Sequence, residues 1–120
     1  MATIDDVRAI ATGLPRSYEA FIRGRVKFKV GQIVYIAFSR DESLMGFAFP
    51  KEEREALVQT YPEKFMLPEG GDLRYHWVVA RLDALLDEQE LQELVLDAWR
   101  MVVPKKLAAI PDAELLEGKT

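Results

Sequence analysis

The sequence predicts an α+β domain, a mainly antiparallel sheet with helices packed on it, and three observations carry that prediction. Apolar residues recur at helical spacing near the N-terminus. A β-branched and aromatic stretch, broken by turn residues, follows from Tyr18 to Phe49. A long helical stripe then returns between Asp87 and Pro104. At 120 residues and 49% hydrophobic content, the chain is the size of one domain and can bury a core without staples. The expected division is a domain over residues 1–110 and a C-terminal tail over 111–120.

Taken in order, Thr3 followed by Asp6 looks like an N-cap with an acid in the first turn. Ile4, Val7, Ile10, Ala11 and Leu14 form the apolar stripe of a first helix, which ends near Gly13 and Pro15. Gly31 and the run Ser39-Arg40-Asp41-Glu42 divide the next stretch into three or four short strands of a meander. Pro50 opens a second helix that Pro62 stops, and Lys64–Leu67 reads as a short strand. Pro68-Glu69-Gly70-Gly71-Asp72 is the strongest turn signal in the chain and predicts a mobile loop. Tyr75–Leu82 reads as a strand with Trp77, Val79 and Arg81 on one face. Asp87 and Glu90 start the longest helix, whose buried stripe is Leu91, Leu94, Val95, Ala98 and Val102. From Lys105 onward the reading is a short turn and a frayed tail.

Composition narrows the chemistry. With no cysteine, disulfides, thiolate nucleophiles and thiolate-held zinc are excluded, and a single histidine, His76, cannot form a zinc site. No apolar run approaches the roughly 20 residues that span a bilayer, and the N-terminus lacks the pattern of a signal peptide, so the expected location is the cytoplasm. The net charge of -4 argues against nucleic acid, but the charges are segregated. Arg16, Arg23, Arg25, Lys27, Lys29 and Arg40 face one acid, Glu19, between residues 16 and 40, so this segment is strongly basic within an acidic chain.

The sharpest local pattern is Arg23-Gly24-Arg25-Val26-Lys27-Phe28-Lys29-Val30. Side chains alternate between the faces of a strand, which places Arg23, Arg25, Lys27 and Lys29 on one face and Val26, Phe28 and Val30 on the other. Alternate residues about 7 Å apart can follow a phosphate backbone. The same pattern also suits a solvated face that discourages edge-to-edge pairing. Arg40 at a hairpin turn and Arg74 beside the Gly70-Gly71 loop extend the basic set if both tips point the same way. Four phosphate contacts would imply roughly a hundredfold loss of affinity between 50 and 200 mM salt.

A second set, Tyr75, His76, Trp77 and Trp99, is a candidate surface for a small ligand or a protein partner. His76 has no recognisable nucleophile or orienting acid nearby in sequence, so no catalytic set emerges. The acids in Glu52-Glu53-Arg54-Glu55 and Asp87-Glu88-Gln89-Glu90 sit where helix starts favour negative charge. Gly118-Lys119-Thr120 echoes a phosphate-binding loop but lacks the earlier glycine and a following helix.

Several ordered strings resemble the MmcQ/YjbR family: Leu14-Pro15, Phe28-Lys29-Val30-Gly31, Phe49-Pro50-Lys51-Glu52-Glu53-Arg54, Pro62-Glu63-Lys64-Phe65, His76-Trp77-Val78 with Arg81-Leu82, and Asp97-Ala98-Trp99-Arg100 to Pro104-Lys105. The similarity runs from about Ile4 to Leu107 and rests on the ordered set, since no one string is specific. It implies a double-wing fold and DNA binding, with no catalytic residues to carry over and no cofactor. The expectation is therefore a non-enzymatic DNA-binding protein that holds its partner weakly and in a salt-sensitive manner, through Arg23, Arg25, Lys27, Lys29, Arg40 and Arg74. The alternative is a protein-interaction or small-ligand module around Trp77 and Trp99.

Overall fold

A computed structural model describes residues 2–85 and 87–117. Helix α1 (Ile4–Ala11) starts at the predicted cap: the Asp6 N–H donates to Thr3 Oγ1 at 3.3 Å, and the Thr3 N–H donates to Asp6 Oδ2 at 2.9 Å. Four strands follow, β1 (Ser17–Ile22), β2 (Arg25–Val30), β3 (Ile33–Phe38) and β4 (Leu44–Ala48), and then α2 (Lys51–Thr60). Next come β5 (Phe65–Met66), a 3-10 turn at Gly70–Arg74, β6 (Trp77–Arg81) and α3 (Glu88–Arg100). Two short helices, α4 (Lys105–Ala108) and α5 (Asp112–Glu117), complete the described chain.

The strands form one sheet in the order β1-β2-β3-β4-β6-β5, with every neighbouring pair antiparallel. Register sorts the side chains onto two faces. Phe28, Ile36, Phe47 and Val78 lie in one row across the sheet, and Phe38, Met45, Ala80 and Phe65 in another; all are buried. Helices α1 and α3 cover this face. The opposite, outer face carries the row Lys27, Ala37, Gly46, Val79 and Met66.

Several resembling strings prove to be structural ties. Trp99 is fully buried in α3 and donates its indole N–H to the Pro15 carbonyl at 2.9 Å, so it joins the longest helix to the loop after the first. Arg54 on α2 donates to the carbonyls of Leu73, Tyr75 and Trp77, mooring the approach to β6. Helix α2 has no side-chain cap from Pro50; His76 Nδ1 accepts the Lys51 N–H at 3.0 Å instead.

Four sequence-based expectations are corrected or refined. Arg23 is not in a strand: with φ of 54° it forms a two-residue turn with Gly24 at 77°, because two positive φ values give the turn twist that matches an antiparallel hairpin. The segment expected as a loop over 68–72 enters a 3-10 turn at Gly70 that runs to Arg74. Helix α3 ends at Arg100 rather than reaching Pro104. The tail is not frayed over its described part: Arg100 donates to the carbonyls of Ala108 (3.0 Å) and Ile110 (2.7 Å) and pairs with Asp112 at 2.6 Å, while Leu115 is buried. Gly118-Lys119-Thr120 lie outside the described residues.

Candidate nucleic-acid interface

Strand β2 builds the centre of the candidate site. Burial alternates along it, with Val26, Phe28 and Val30 inside and Arg25, Lys27 and Lys29 on the outer face, as the period of two predicts. No described carboxylate forms an ion pair with these three cations. Strand β2 is hydrogen-bonded on both sides, to β1 and β3, and is therefore an interior strand. Its cations do not guard an edge, which removes one explanation for their presence.

The acids lie elsewhere. Glu19, the one acid of the basic segment, pairs with Phe28 in register and so faces the helices, where Arg8 holds it through two bonds of 2.7 and 2.9 Å. That hydrogen bonding keeps the Glu19 carboxyl below its usual value. Helix α3, with its acidic first turn, packs on the core face of β3 and β4, opposite the outer-face cations.

At one end of β2 the structure gathers Arg23, Arg25 and Arg40. Arg40 Nε donates to the Arg23 carbonyl at 3.2 Å, and Arg25 Nε donates to the Phe38 carbonyl at 2.8 Å. Arg25, Arg40, Ser39, Asp41 and Leu44 line an open hollow there. Asp41 is the nearby acid, and its carboxylate is engaged by the hydroxyls of Ser39 and Ser43, each at 2.7 Å, and by the Ser43 N–H at 3.0 Å. Those bonds lower its pKa to about 2. Arg74 does not join this group. It stacks over the Tyr75 ring at 5.1 Å, on the segment that Arg54 moors to α2.

The aromatic set is also divided. Trp99 is in the core and takes no part in a surface with Trp77, and His76, exposed, is engaged through Nδ1 as the cap of α2. Tyr75 is 55% exposed beneath Arg74. Trp77 lines a cleft of about 210 Å³ on the outer face. The cleft runs from Arg25 and Ser39, over Ala37 and Gly46, to Leu67, Pro68, Glu69 and Asp72.

Gly46 explains how Trp77 lies. A Cβ at Gly46 would fall 2.5 Å from the indole Nε1, so the ring rests directly on the glycine backbone. Ala37, next in the row, is buried although it stands outside the main core cluster. Sequence reasoning missed Ala37, Gly46, Glu69 and Asp72. A glycine inside an otherwise regular strand pattern, Leu44-Met45-Gly46-Phe47-Ala48, was the available signal of close approach. Tyr18 was also missed; it pairs with Lys29 on the outer face, 43% exposed, with its hydroxyl donating to the Gly31 carbonyl at 2.5 Å.

Among the described residues, no three His, Cys, Asp or Glu side chains converge as a metal set, and no helix is long and apolar enough to cross a membrane.

A six-stranded antiparallel sheet with its core under α1 and α3, and an outer face that is basic at β2 and aromatic at β6, defines a small α+β sheet protein. The chain belongs to the YjbR family, whose model matches residues 12–101. It is similar to the crystal structure of Deinococcus radiodurans protein DR2400, which carries a DUF419 domain, at 28% identity and a TM-score of 0.74, covering 93% of this chain and 91% of that one. No curated protein matches the chain.

Proposed function

We propose that this protein is a non-enzymatic DNA-binding module of the YjbR family that contacts phosphates through the outer face of its sheet. The observation that carries the reading is the set Arg25, Lys27 and Lys29: three cations without carboxylate partners among the described residues, on an interior strand, on the face opposite α1 and α3. Salt bridges among the described residues and edge protection do not account for such a set, and a polyanion would be matched by it. Arg23 and Arg40 extend it at the hairpin end, and Arg74 is left out of the binding set because it packs on Tyr75.

Contacts of this kind read charge rather than sequence, so affinity is salt-dependent and largely non-specific. Fluorescence anisotropy of labelled DNA, single-stranded and duplex, tests this against the variant Arg25→Gln/Lys27→Gln/Lys29→Gln. The expected result is binding at low salt that falls with a log–log slope of about -3.5 to -4.5 for the five cations, and a slope shallower by about 2 to 3 in the variant. Binding that is unchanged by the three substitutions would overturn the reading.

A further inference from the structure

Phosphate contact explains Arg25, Lys27 and Lys29 but leaves Trp77 and its cleft without a role. Trp77 lies on Gly46, a residue whose missing side chain opens the space the ring occupies. Its indole N–H makes no hydrogen bond within the described chain, while the other tryptophan, Trp99, is fully satisfied in the core. The row that connects Trp77 to the cations is cut low: Ala37 and Gly46 separate Lys27 on β2 from Val79 on β6. Strands in a sheet stand about 4.8 Å apart, so the ring above β4 is about 10 Å from the cations of β2. The distribution of charge across this trough is polar. Arg25 stands at one side, its terminal nitrogens without a hydrogen bond among the described residues after Nε binds the Phe38 carbonyl, and Glu69 and Asp72 stand at the other.

We infer that the outer face binds single-stranded rather than duplex nucleic acid, stacking an unpaired base on Trp77 while the backbone runs along Arg25, Lys27 and Lys29. This rests on the phosphate-binding reading above and narrows its substrate. A duplex presents base edges in its grooves, so an aromatic ring on the floor of a sheet meets a base face only when the base is unstacked. Glu69 and Asp72 repel phosphate, which fixes the direction of the chain across the cleft: backbone toward β2, base toward the 67–72 segment. As acceptors, their carboxylates match the exocyclic amino groups of cytosine and adenine, which thymine lacks.

The two tryptophans make the test direct, because Trp99 is buried and quenching on titration reports Trp77. The full chain is titrated at low salt with oligodeoxycytidylate, oligothymidylate and a mixed-sequence duplex, all of equal length, and with cytidine monophosphate. Oligodeoxycytidylate is expected to bind and quench Trp77, ahead of oligothymidylate and of the duplex. Trp77→Leu is expected to weaken single-strand binding about tenfold, in line with the loss of one base–aromatic stack. Trp77→Phe retains a ring and is expected to stay within a few-fold of the parent, so a folding defect in the leucine variant does not leave the matter open. Duplex binding as tight as single-strand binding, without quenching, would overturn this inference and leave the phosphate reading standing. No binding by any strand would overturn both. Cytidine monophosphate binding as tightly as the oligonucleotide would overturn it in favour of a small-ligand site.

Discussion

Arg23 holds a position where the backbone favours a different residue. At φ of 54° in a two-residue hairpin turn, Asn or Gly is the usual occupant, and a long β-unbranched cation brings no turn chemistry of its own. A residue that stands against local preference is where a role outside the fold is expected. Arg23→Asn should therefore leave the melting temperature equal or slightly raised while lowering the salt slope of nucleic-acid binding by about one unit. A loss of stability with no change in slope would show that the guanidinium serves the fold. Gly46 makes the complementary case. Gly46→Ala places a methyl 2.5 Å from the Trp77 indole, and the ring must move. The expected cost is about 1–3 kcal/mol, with Trp77 emission shifted to the red in thermal and fluorescence measurements. Unchanged stability and emission would contradict the placement of the ring.

These residues also mark how far the sequence is legible. Arg25, Lys27 and Lys29 were readable because strand alternation has a strict period of two and β2 obeys it. Arg23 was misplaced because Arg gives no turn signal and the lone Gly24 is compatible with a strand. The two tryptophans were grouped because both are large aromatics. Trp99, however, follows Val95 by four residues and Leu91 by eight, which puts it on the helical stripe that is buried. Trp77 was correctly placed beside Val79 and Arg81, but its cleft depends on Gly46 of another strand, and pairing between distant strands is not written in local pattern.

At the scale of elements, the ends of strands and helices are held by side-chain bonds that the sequence announced only in part. The Thr3–Asp6 capping box was legible as a motif, whereas the His76 cap on α2 and the Arg54 bonds join residues about twenty positions apart. The β3–β4 turn offers a pH test of such an arrangement. Asp41 titrates at about 2 in the folded protein, against an ordinary 3.8, because the hydroxyls of Ser39 and Ser43 and the Ser43 N–H bond its ionised form. A depressed carboxyl contributes stability that is complete above its ordinary value and is lost as pH falls through the folded one. The turn should hold at pH 4 and loosen as pH approaches 2. Monitoring the Asp41 carboxyl and the Ser43 amide by NMR checks this, and a shared midpoint near 3.8 would contradict the bonding described.

For the whole molecule, the net charge of -4 and a locally basic outer face are reconciled by topology. The meander returns the chain so that β2 becomes an interior strand, Glu19 turns toward Arg8, and α3 takes its acids to the other side of the sheet. The α+β class, a meander of three or four strands and the principal helices were legible because their periodicities are local. The insertion of β6 between β4 and β5, and the packing of α4 and α5 through Arg100, depend on contacts between distant segments and were not. The central claim is that one face of the sheet, and not the other, meets nucleic acid. Backbone amide shifts recorded by NMR during titration with a short oligonucleotide at low salt test it most directly. Changes are expected to concentrate at Arg25, Lys27, Lys29, Ala37, Gly46 and Trp77, with α1 and α3 unaffected; changes centred on α1 or α3, or none at all, would contradict the claim.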